Sequence, residues 1–545
     1  MSLGPGGEAG SRTISIVHTA AMPLRRFPGF PAFGWVAGAA IAAAMLIPPA
    51  YLVLRAAQDG FAAWDTLARS ATIEATIRTA RLAATTAAGT VVLAVPIAWL
   101  TTRTDLPFRR VWTVLLALPL AIPSYVAAFV LVGALGPAGL WKDALGPLGI
   151  DSVPSIYGFW GAWFALTFFT YPYVLLPVRA AFQGMDPSLE EAARGLGKGP
   201  FQTFARVTVP QLGPAIAAGA LLVALYALSD FGAVSILRFN SLSRLIYLEY
   251  TGTLDRSAAA ALALILVAMA VSVVSLEGFV RGRARFHTRT HRRAASTVRL
   301  GPWRWPALAF CSSVALASVG MPLLVMGTWL WRGISNDSAF DAITGPAWNS
   351  LYVSGLAGIV AVAASIPIAY LVVRRRGVAA ETIDKASQSG FALPGIAVAL
   401  ALVFFGANYA PWVYQTLALL VFAYVVRFLP QALGATRASF LQVDPHTEEA
   451  ARSLGGSAPR VFARITLPQL VPGMWAGGAL VFLTTMKELP VTLLLSPLGF
   501  DTLATQIWAN TNEALFARAA LPALILVLLS SLPMILTVLR ERTAR

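Results

Sequence analysis

Apolar runs long enough to cross a lipid bilayer recur twelve times along this chain. A membrane-spanning helix needs about 20 mostly apolar residues, and inside lipid the backbone must satisfy its hydrogen bonds within the segment. Only 12% of the residues are charged, against roughly a quarter in soluble domains. The runs lie at about 32–54, 79–100, 111–134, 157–178, 214–237, 258–280, 306–331, 350–373, 390–407, 412–433, 472–496 and 517–539. They predict an all-α integral membrane protein with about 12 transmembrane helices.

Basic residues predict how these helices are oriented. Most of the 41 Lys and Arg residues lie in alternate loops and at the two ends of the chain, and an excess of positive charge marks cytoplasmic segments. Both termini are therefore expected in the cytoplasm. Residues 1–30 and 541–545 are expected to be cytoplasmic tails, the first disordered. The first apolar run is longer than a secretory signal core and is expected to stay as a helix.

The chain repeats itself, which divides it into two halves of six predicted helices each, 31–280 and 305–540. Val95–Leu100 resembles Ile366–Leu371, and Ala117–Pro119 resembles Ala392–Pro394. Six helices per half is an even number, so both copies face the same way and their interface is expected to hold a pathway. The linker 281–304 carries eight arginines and no acid. This charge could bind nucleic acid or anionic lipid. A cytoplasmic linker that joins the halves and fixes their topology also explains it, and no nucleic-acid partner is expected.

A polar segment between spans is also repeated, at a constant offset of 258 residues. EEAARGLGKGPFQTFARVTVPQ begins at Glu190, and EEAARSLGGSAPRVFARITLPQ begins at Glu448. An Asp-Pro pair precedes each copy and predicts a helix start. Acids in the first turn suit the helix dipole, small alanines allow close approach, a glycine permits positive φ, and a proline is expected to end the second short helix. These positions are Glu190, Glu191, Ala192, Ala193, Gly197 and Pro210, then Glu448, Glu449, Ala450, Ala451, Gly455 and Pro468.

Similarity left over from gene duplication could explain two such loops. The apolar spans, however, differ between the halves far more than the loops do. The loops are therefore expected to bind a soluble partner that offers two equivalent grooves, and hence is itself dimeric.

Glu449-Ala450-Ala451, Gly455 and Ile465-Thr466-Leu467-Pro468 resemble the EAA signature of permease subunits of binding-protein-dependent ABC importers. The resemblance implies two fused permease domains of the type I importer fold in a bacterial cytoplasmic membrane. It implies that each loop forms a coupling helix on a homodimeric ATPase, and that an external solute-binding protein delivers the cargo.

The chain itself is expected to be a transport subunit and not an enzyme. Gly197-Lys198 is followed by Gly199, whereas a phosphate-binding loop places Ser or Thr there. ATP and Mg²⁺ are therefore expected on the partner ATPase, with no cofactor, catalytic residue or resident metal assigned to this chain.

Ionisable residues inside spans mark candidate pathways, because charges in a bilayer are costly. Asp230 and Glu488 lie at the 258-residue offset, and Lys487 precedes the second acid. Gly232 and Pro490 follow the acids and could kink the helix. Lys487 and Glu488 could instead sit at the membrane interface. Arg427 is expected to be a structural charge partner.

Asp230-Phe231-Gly232-Ala233-Val234 and Lys487-Glu488-Leu489-Pro490 look like the fused permeases of ferric-iron importers. That resemblance implies Fe(III) as cargo, and acidic oxygens suit a hard cation. Permeases for thiamine, phosphonate, sulfate or polyamines share the loop and stay open as alternatives. A secondary transporter with two six-helix halves is the alternative of another class, although it has no reason to keep the duplicated loop.

Overall fold

The structure is a computed structural model that describes residues 32–58, 65–149, 154–186, 188–253, 256–283, 297–335, 343–375 and 377–540. Across these ranges the regular structure is helical, apart from one isolated bridge between Thr104 and Val298. The predicted tails 1–30 and 541–545 lie outside the described residues, as does 284–296 of the predicted linker.

The first half contains fourteen helices among its described residues. They are α1 Ala32–Met45, α2 Ile47–Gln58, α3 Ser70–Arg103, α4 Arg109–Leu115, α5 Ser124–Leu135, α6 Trp141–Leu145, α7 Phe159–Thr170, α8 Pro172–Gly184, α9 Ser188–Gly195, α10 Pro200–Thr203, α11 Val209–Ser229, α12 Gly232–Ile236, α13 Leu242–Leu248 and α14 Arg256–Arg283. Short 3₁₀ turns at Leu118–Ala121 and Gly146–Leu148 and π-helical turns at Phe204–Thr208 and Glu249–Thr253 extend or join them.

The second half repeats this order. Its helices are α15 Arg304–Ala315, α16 Met321–Ser335, α17 Thr344–Arg374, α18 Val378–Gln388, α19 Gly395–Tyr409, α20 Leu417–Gln442, α21 Pro445–Ser453, α22 Ala458–Val461, α23 Leu467–Met486, α24 Pro490–Leu495, α25 Leu503–Asn512 and α26 Phe516–Arg540. The 3₁₀ turns are Gly301–Trp303 and Ser389–Ala392, and the π-helical turns are Leu316–Gly320 and Phe462–Thr466.

Eight helical segments among the described residues are long and apolar enough to cross a membrane, and three bent helix pairs raise the number to eleven. A shorter apolar helix is described at Phe516–Ser531. Each of the twelve predicted runs overlaps one of these twelve features. The protein is therefore a multi-pass membrane protein, with spans where hydropathy predicts them.

The runs at 111–134 and 390–407 are not the continuous helices that the sequence predicts. In the first half the axis bends by 95° between Ala121 and Ser124, and in the second it bends by 107° between Ala392 and Gly395. Pro123 and Pro394 precede the bent helices with extended ψ angles of 153° and 141°. Proline lacks an N–H and disfavours helical geometry in the residue before it, so it breaks the helix.

These bends also correct the predicted alignment of the halves. Pro394 corresponds to Pro123 in the structure, and Pro119 lies one turn earlier. The structural pairing keeps the offset of 271 residues that Val95 and Ile366 have, whereas the predicted pairing of Ala117–Pro119 breaks it. After α5 the offset between matched residues falls to 258. The reason is that the connection from α5 to α7 in the first half, 136–158, is longer than the connection from α19 to α20 in the second half, 410–416.

The first span of each half packs against the other half. Helix α1 contacts α17 and α18, and α2 contacts α19. A Cβ added at Gly38 would come within 2.7 Å of Leu371 Cδ1. Conversely α16 contacts α5, and Trp329 Nε1 donates to the Gly133 carbonyl at 3.0 Å. The first span of each half therefore contacts the other half, while α2 and α16 also pack against α14 and α26 of their own halves.

The end of the basic linker is fixed to the first half. Val298 donates its N–H to the Arg103 carbonyl at 2.8 Å and accepts from Asp105 N at 3.2 Å. Leu300 N donates to Asp105 Oδ1 at 2.8 Å. These bonds fix where α15 begins, so that Cys311 and Val314 join the buried cluster around Ile97 of the first half.

Candidate translocation cavity and coupling loops

A cavity of about 460 Å³ lies between the two halves. Its walls come from the bends after α4 and α18 and from the ends of α11 and α23. All five residues that the sequence assigns to a pathway line it: Asp230, Gly232, Lys487, Glu488 and Pro490. The internal repeat therefore brings the paired acids into one site, as residues near a pseudo-two-fold axis should be.

Asp230 stands where the span α11 stops. Its ψ of 129° is extended, so the predicted helix 214–237 ends at Ser229, and α12 starts at Gly232. Asp230 Oδ1 accepts from Ala233 N at 3.0 Å and from Val234 N at 3.3 Å, which caps α12 as a helix start requires. Its Oδ2 accepts from the hydroxyl of Ser124.

Glu488 occupies the same place in the second half, where α23 ends at Met486 and α24 begins at Pro490. Its Oε1 accepts from Val491 N at 3.4 Å and from Arg427 Nη1. The residue is 7% exposed, so it does not lie at an open interface. Arg427 is the charge partner that the sequence suggested.

The two acids are held by different chemistry at matched positions. Ser124 holds Asp230, but the corresponding residue in the second half is Gly395. A Cβ at Gly395 would lie 1.9 Å from Arg427 Nη1 and 2.8 Å from Glu488 Oε1. The guanidinium therefore fills the space that the serine side chain fills in the first half. Phe169 stands at the position matching Arg427.

Lys487 reaches across the cavity to the other half. Its Nζ donates to the Leu120 carbonyl at 3.4 Å, in the 3₁₀ turn Leu118–Ala121. Among the described residues no acid lies within 4 Å of this ammonium group; Glu488 is instead paired with Arg427. Lys487 thus supplies a cation at the junction between the halves.

Gly232 makes room for a close contact across the same junction. A Cβ there would lie 2.7 Å from Tyr125 Cβ and 3.2 Å from Leu489 Cδ2 of the second half. Sequence reasoning missed Tyr125, and it also missed Tyr173 and Tyr226, which line the cavity. Tyrosine is common in membrane proteins, so residue type alone does not mark these three positions. Only Tyr226 had a signal in the sequence, because it lies one helical turn before Asp230.

The two repeated loops have the same backbone. Each has a short helix, α9 or α21, then a glycine with positive φ, 80° at Gly197 and 85° at Gly455. Asp444 Oδ1 accepts from His446 N at 2.9 Å, and Pro445 occupies the first turn. The predicted capped helix and left-handed glycine therefore both form.

The second short helix does not end at Pro210 or Pro468, contrary to the sequence prediction. The chain passes from α10 through the π-helical turn Phe204–Thr208 into α11, and likewise from α22 through Phe462–Thr466 into α23. Both prolines lie in the first turn after the π-helical turn. Proline is tolerated in a first turn, so the loop is continuous with its span.

The first glutamate of each repeat fastens the loop to that continuous helix. Glu190 Oε1 accepts from Thr208 Oγ1 at 2.9 Å, and Glu448 Oε1 accepts from Thr466 Oγ1 at 2.9 Å. Each bond links the short helix, α9 or α21, to the π-helical turn that precedes the span α11 or α23.

The next residues face outward. Glu191 and Glu449 are exposed, as are Ala192 and Ala450, whereas Ala193 is buried and Ala451 half-buried. Leu196 and Leu454, at matched positions beside the glycines, are 80% and 90% exposed. The same leucine position is therefore exposed at the tip of both loops.

Arg374 ties only the second loop to its preceding span. Its Nη2 donates to Glu448 Oε1 at 3.3 Å and to the Val443 carbonyl at 3.1 Å. The matched Arg103 is also buried, but within the described part of the chain its Nε and Nη2 have no hydrogen-bond partner, and its guanidinium lies 6.0 Å from the Phe182 ring. The two loops are thus alike in shape and differ in the contacts of this matched arginine.

Within the part of the chain that the structure describes, no group of three or more His, Cys, Asp or Glu side chains could hold a metal ion. The cavity residues are instead spread over several elements and carry two acids and two basic groups. Such walls can contact a passing solute without holding a resident metal.

Residues 81–286 and 361–545 both match the family described as binding-protein-dependent transport system inner membrane component. The chain is 34% identical to a Fe(3+)-transport system permease protein of Haemophilus influenzae, over 90% of this chain and 95% of that protein. It is 24% identical to a ferric transport system permease protein of Actinobacillus pleuropneumoniae, over 69% of this chain and 58% of that protein.

A sulfate transport system permease protein of Escherichia coli is 30% identical over 36% of this chain and 70% of its own length. The two matched ranges include both repeated segments, the one that begins at Glu190 and the one that begins at Glu448. The chain belongs to the binding-protein-dependent ABC importer permeases, with the permease domain present twice.

Proposed function

We propose that this protein forms the translocation pathway of an ATP-driven importer of Fe(III), which an external solute-binding protein delivers. The similarity to the Haemophilus influenzae Fe(3+) permease carries the proposal, because it extends over 90% of this chain and includes both halves. The similarity to the sulfate permease covers 36% of the chain, about one domain, and supports only the shared permease machinery.

The fold proposed for the whole chain is the type I importer fold with twelve transmembrane helices. Both termini, both EAA loops and the linker 281–304 are placed in the cytoplasm of a bacterial inner membrane. The positive charge of the loops on that side supports this orientation. The chain offers a simple test, because Cys311 is its one cysteine and is buried.

In a Cys311→Ala background, Leu196→Cys and Trp412→Cys place single thiols at exposed positions in loops on opposite sides. A membrane-impermeant maleimide added to intact cells should label only Trp412→Cys, and should label Leu196→Cys only in inverted vesicles. Labelling of Leu196→Cys in intact cells would overturn the orientation.

Coupling to ATP is proposed to run through the two loops. A homodimeric ATPase with one groove per subunit would take the tips at Leu196 and Leu454, and its closure would move both loops together. The bonds from Glu190 to Thr208 and from Glu448 to Thr466 then carry the motion into α11 and α23. Those helices end at the acids that line the cavity, so the movement reaches the pathway.

Uptake in proteoliposomes containing the complete importer tests the cargo. We expect ATP-dependent accumulation of radiolabelled Fe(III) when the iron-loaded binding protein is outside, and no accumulation without ATP. Sulfate and thiamine, each with its own binding protein, serve as competing cargoes. Uptake driven by an ion gradient without ATP would favour a secondary transporter and overturn the proposal, and so would accumulation of sulfate or thiamine without Fe(III).

A further inference from the structure

Three tyrosines of the first half surround Asp230 at the cavity. Tyr226 precedes Asp230 by four residues, one helical turn, so both face the same side of α11. The rings of Tyr173 and Tyr226 lie 5.7 Å apart between centroids. Tyr125 follows Ser124, whose hydroxyl donates to Asp230. Three tyrosines and one carboxylate of the first half therefore line the cavity.

The fold does not require phenols at these places. Their matched positions in the second half are Ile396, Gln431 and Thr484, and that half builds the same bend, span and break without them. Gln431 and Thr484 also satisfy each other, since Thr484 Oγ1 donates to Gln431 Oε1 at 3.1 Å. The first half thus differs from its twin in the residues that face the cavity.

Tyr125 has no structural hydrogen bond that would explain its hydroxyl. The residue is 2% exposed, and among the described residues its Oη has no hydrogen-bond partner. A buried polar atom without a partner costs free energy, and native structures contain few of them. The oxygen is buried in this conformation, so a ligand would coordinate it only after the ring turns toward the cavity, and that contact would remove the cost.

The charges of the cavity indicate how such a ligand is held. The cavity is lined by two acidic residues, Asp230 and Glu488, and by two basic residues, Arg427 and Lys487. Their formal charges sum to zero, so these side chains give the cavity no net negative charge that would attract a cation. A trivalent cation would therefore need further anionic oxygens, which the three tyrosines that line the cavity can supply as phenolates. Carboxylate and phenolate are hard oxygen donors of the kind that hard metal ions select.

We propose that Tyr125, Tyr173, Tyr226 and Asp230 form a subsite that coordinates the cargo as a hard trivalent cation during its passage. The inference rests on the proposed transport of Fe(III) and adds the residues that recognise it. Each phenol that coordinates the metal loses its proton to the surrounding water, so that the positive charge of the metal replaces that of the proton. Recognition is thereby assigned to the first half alone.

Phenolate bound to Fe(III) absorbs visible light through charge transfer from oxygen to metal, which gives a direct readout. The complete importer in nanodiscs, without its binding protein, is titrated with ferric nitrilotriacetate. We expect a visible band in the wild type, a weaker band in each of Tyr125→Phe, Tyr173→Phe and Tyr226→Phe, and none in the triple variant. The KM for iron uptake should rise at least about tenfold in the triple variant.

Tyr171→Phe is the matched control, because Tyr171 is also buried with an unpartnered hydroxyl but does not line the cavity. It should keep the band and the KM. Stimulation of the ATPase by the loaded binding protein is measured on every variant to show that the complex is assembled. Unchanged Fe(III) uptake in the triple variant, or a wild type that imports iron without a band, overturns the subsite alone. A wild type that imports no Fe(III) overturns the proposed function itself.

Discussion

At the scale of single residues, the two acids of the cavity illustrate how a duplicated site diverges without losing its fold. Asp230 is held by Ser124 and Glu488 by Arg427, and Gly395 exists because the guanidinium needs the space of the matched serine. Three matched positions therefore differ between the halves: Ser124 and Gly395, Phe169 and Arg427, and Asp230 and Glu488. Changing one of them alone should be costly.

Gly395→Ala tests this compensation. The new methyl would overlap Arg427 Nη1, which an added Cβ would meet at 1.9 Å, and would separate the guanidinium from Glu488. We expect the variant to lose about 3 kcal/mol of stability, the range for breaking a buried ion pair, measured as a lower thermal unfolding temperature of the purified importer.

Gly434→Ala is the control for that measurement. Gly434 lies within a helix, and a Cβ there meets nothing within 4 Å, so helix propensity alone should make the change neutral or slightly stabilising. The triple variant Gly395→Ser, Arg427→Phe, Glu488→Asp reproduces the first-half set and should regain most of the lost stability. Equal unfolding temperatures for Gly395→Ala and Gly434→Ala would contradict the compensation.

The sequence predicted the cavity acids because they obey a repeat. A charge inside an apolar run, found twice at one offset, points to a shared axis without any coordinates. The tyrosines carry no formal charge, and their matched positions are Ile396, Gln431 and Thr484, so comparing the two halves of the sequence does not identify them. The role of Gly395 could not be predicted from the sequence either, because it depends on where the Arg427 side chain points in three dimensions.

At the scale of elements, the coupling loops depend on backbone conformation more than on packing. Nothing lies within 4 Å of a Cβ added at Gly197 or Gly455, but both have positive φ. The left-handed conformation costs an ordinary L-residue about 1–2 kcal/mol, and Asn less. The requirement for glycine is therefore conformational and not steric.

Gly455→Asn and Gly455→Val separate these two causes. We expect the asparagine variant to retain ATPase binding and iron uptake, and the β-branched valine variant to lose most of both, as judged by co-purification of the ATPase and by transport. Loss of binding in the asparagine variant as severe as in the valine variant would show that the side chain itself is excluded.

The exposed tips give a complementary prediction. Leu196→Ser and Leu454→Ser remove side chains that are 80% and 90% exposed, so the unfolding temperature of the permease alone should not change. Binding of the ATPase should weaken in each single variant and fall furthest in the double variant. Leu498→Ser is the control, since Leu498 is 87% exposed in the loop after α24 and should leave ATPase binding intact.

The unequal attachment of the loops is measurable as well. Arg374→Met leaves the carboxylate of Glu448 buried without its cation and should destabilise the importer by about 3–5 kcal/mol. Arg103→Met removes a buried cation whose Nε and Nη2 make no hydrogen bond and should cost less. Equal losses of thermal stability in the two variants would contradict the asymmetry.

Hydropathy predicted where the membrane-spanning helices lie, but it did not predict where those helices bend or break. Pro123 and Pro394 lie in runs whose composition permits a full span, and whether a proline kinks, ends or begins a helix depends on its neighbours in space. Pro210 and Pro468 show the opposite error: both were expected to end a helix, but a π-helical turn before each lets the helix continue. Composition identifies a span, whereas tertiary contacts decide its shape.

At the scale of the whole molecule, contacts of the first spans join the two halves. Helix α1 packs on α17 and α18 of the second half, α2 packs on both α14 and α19, and α16 packs on both α26 and α5. Tyr51 packs edge-on against Phe405 at 6.2 Å and Tyr409 at 5.9 Å between ring centroids. Neither half covers its own apolar faces alone.

Cutting the chain between residues 290 and 291 tests this dependence. The two fragments, expressed together, should form a complex that co-purifies and binds the ATPase, because the contacts across the cut are noncovalent. Each fragment expressed alone should be degraded. A first fragment that is stable alone, as judged by its level in membranes and by resistance to protease, would contradict the need for the partner half.

The packing of α1 against helices of the second half has a consequence for how the protein is synthesised. Its contacts on α17 and α18 are synthesised some 300 residues after it, and ribosomes add about 5–20 residues per second. Helix α1 must therefore remain in the bilayer for roughly 15–60 s before the helices that it packs against have been synthesised. During that interval lipid, and not Leu371, covers the surface at Gly38, so this segment depends on protection by the insertion machinery while translation continues.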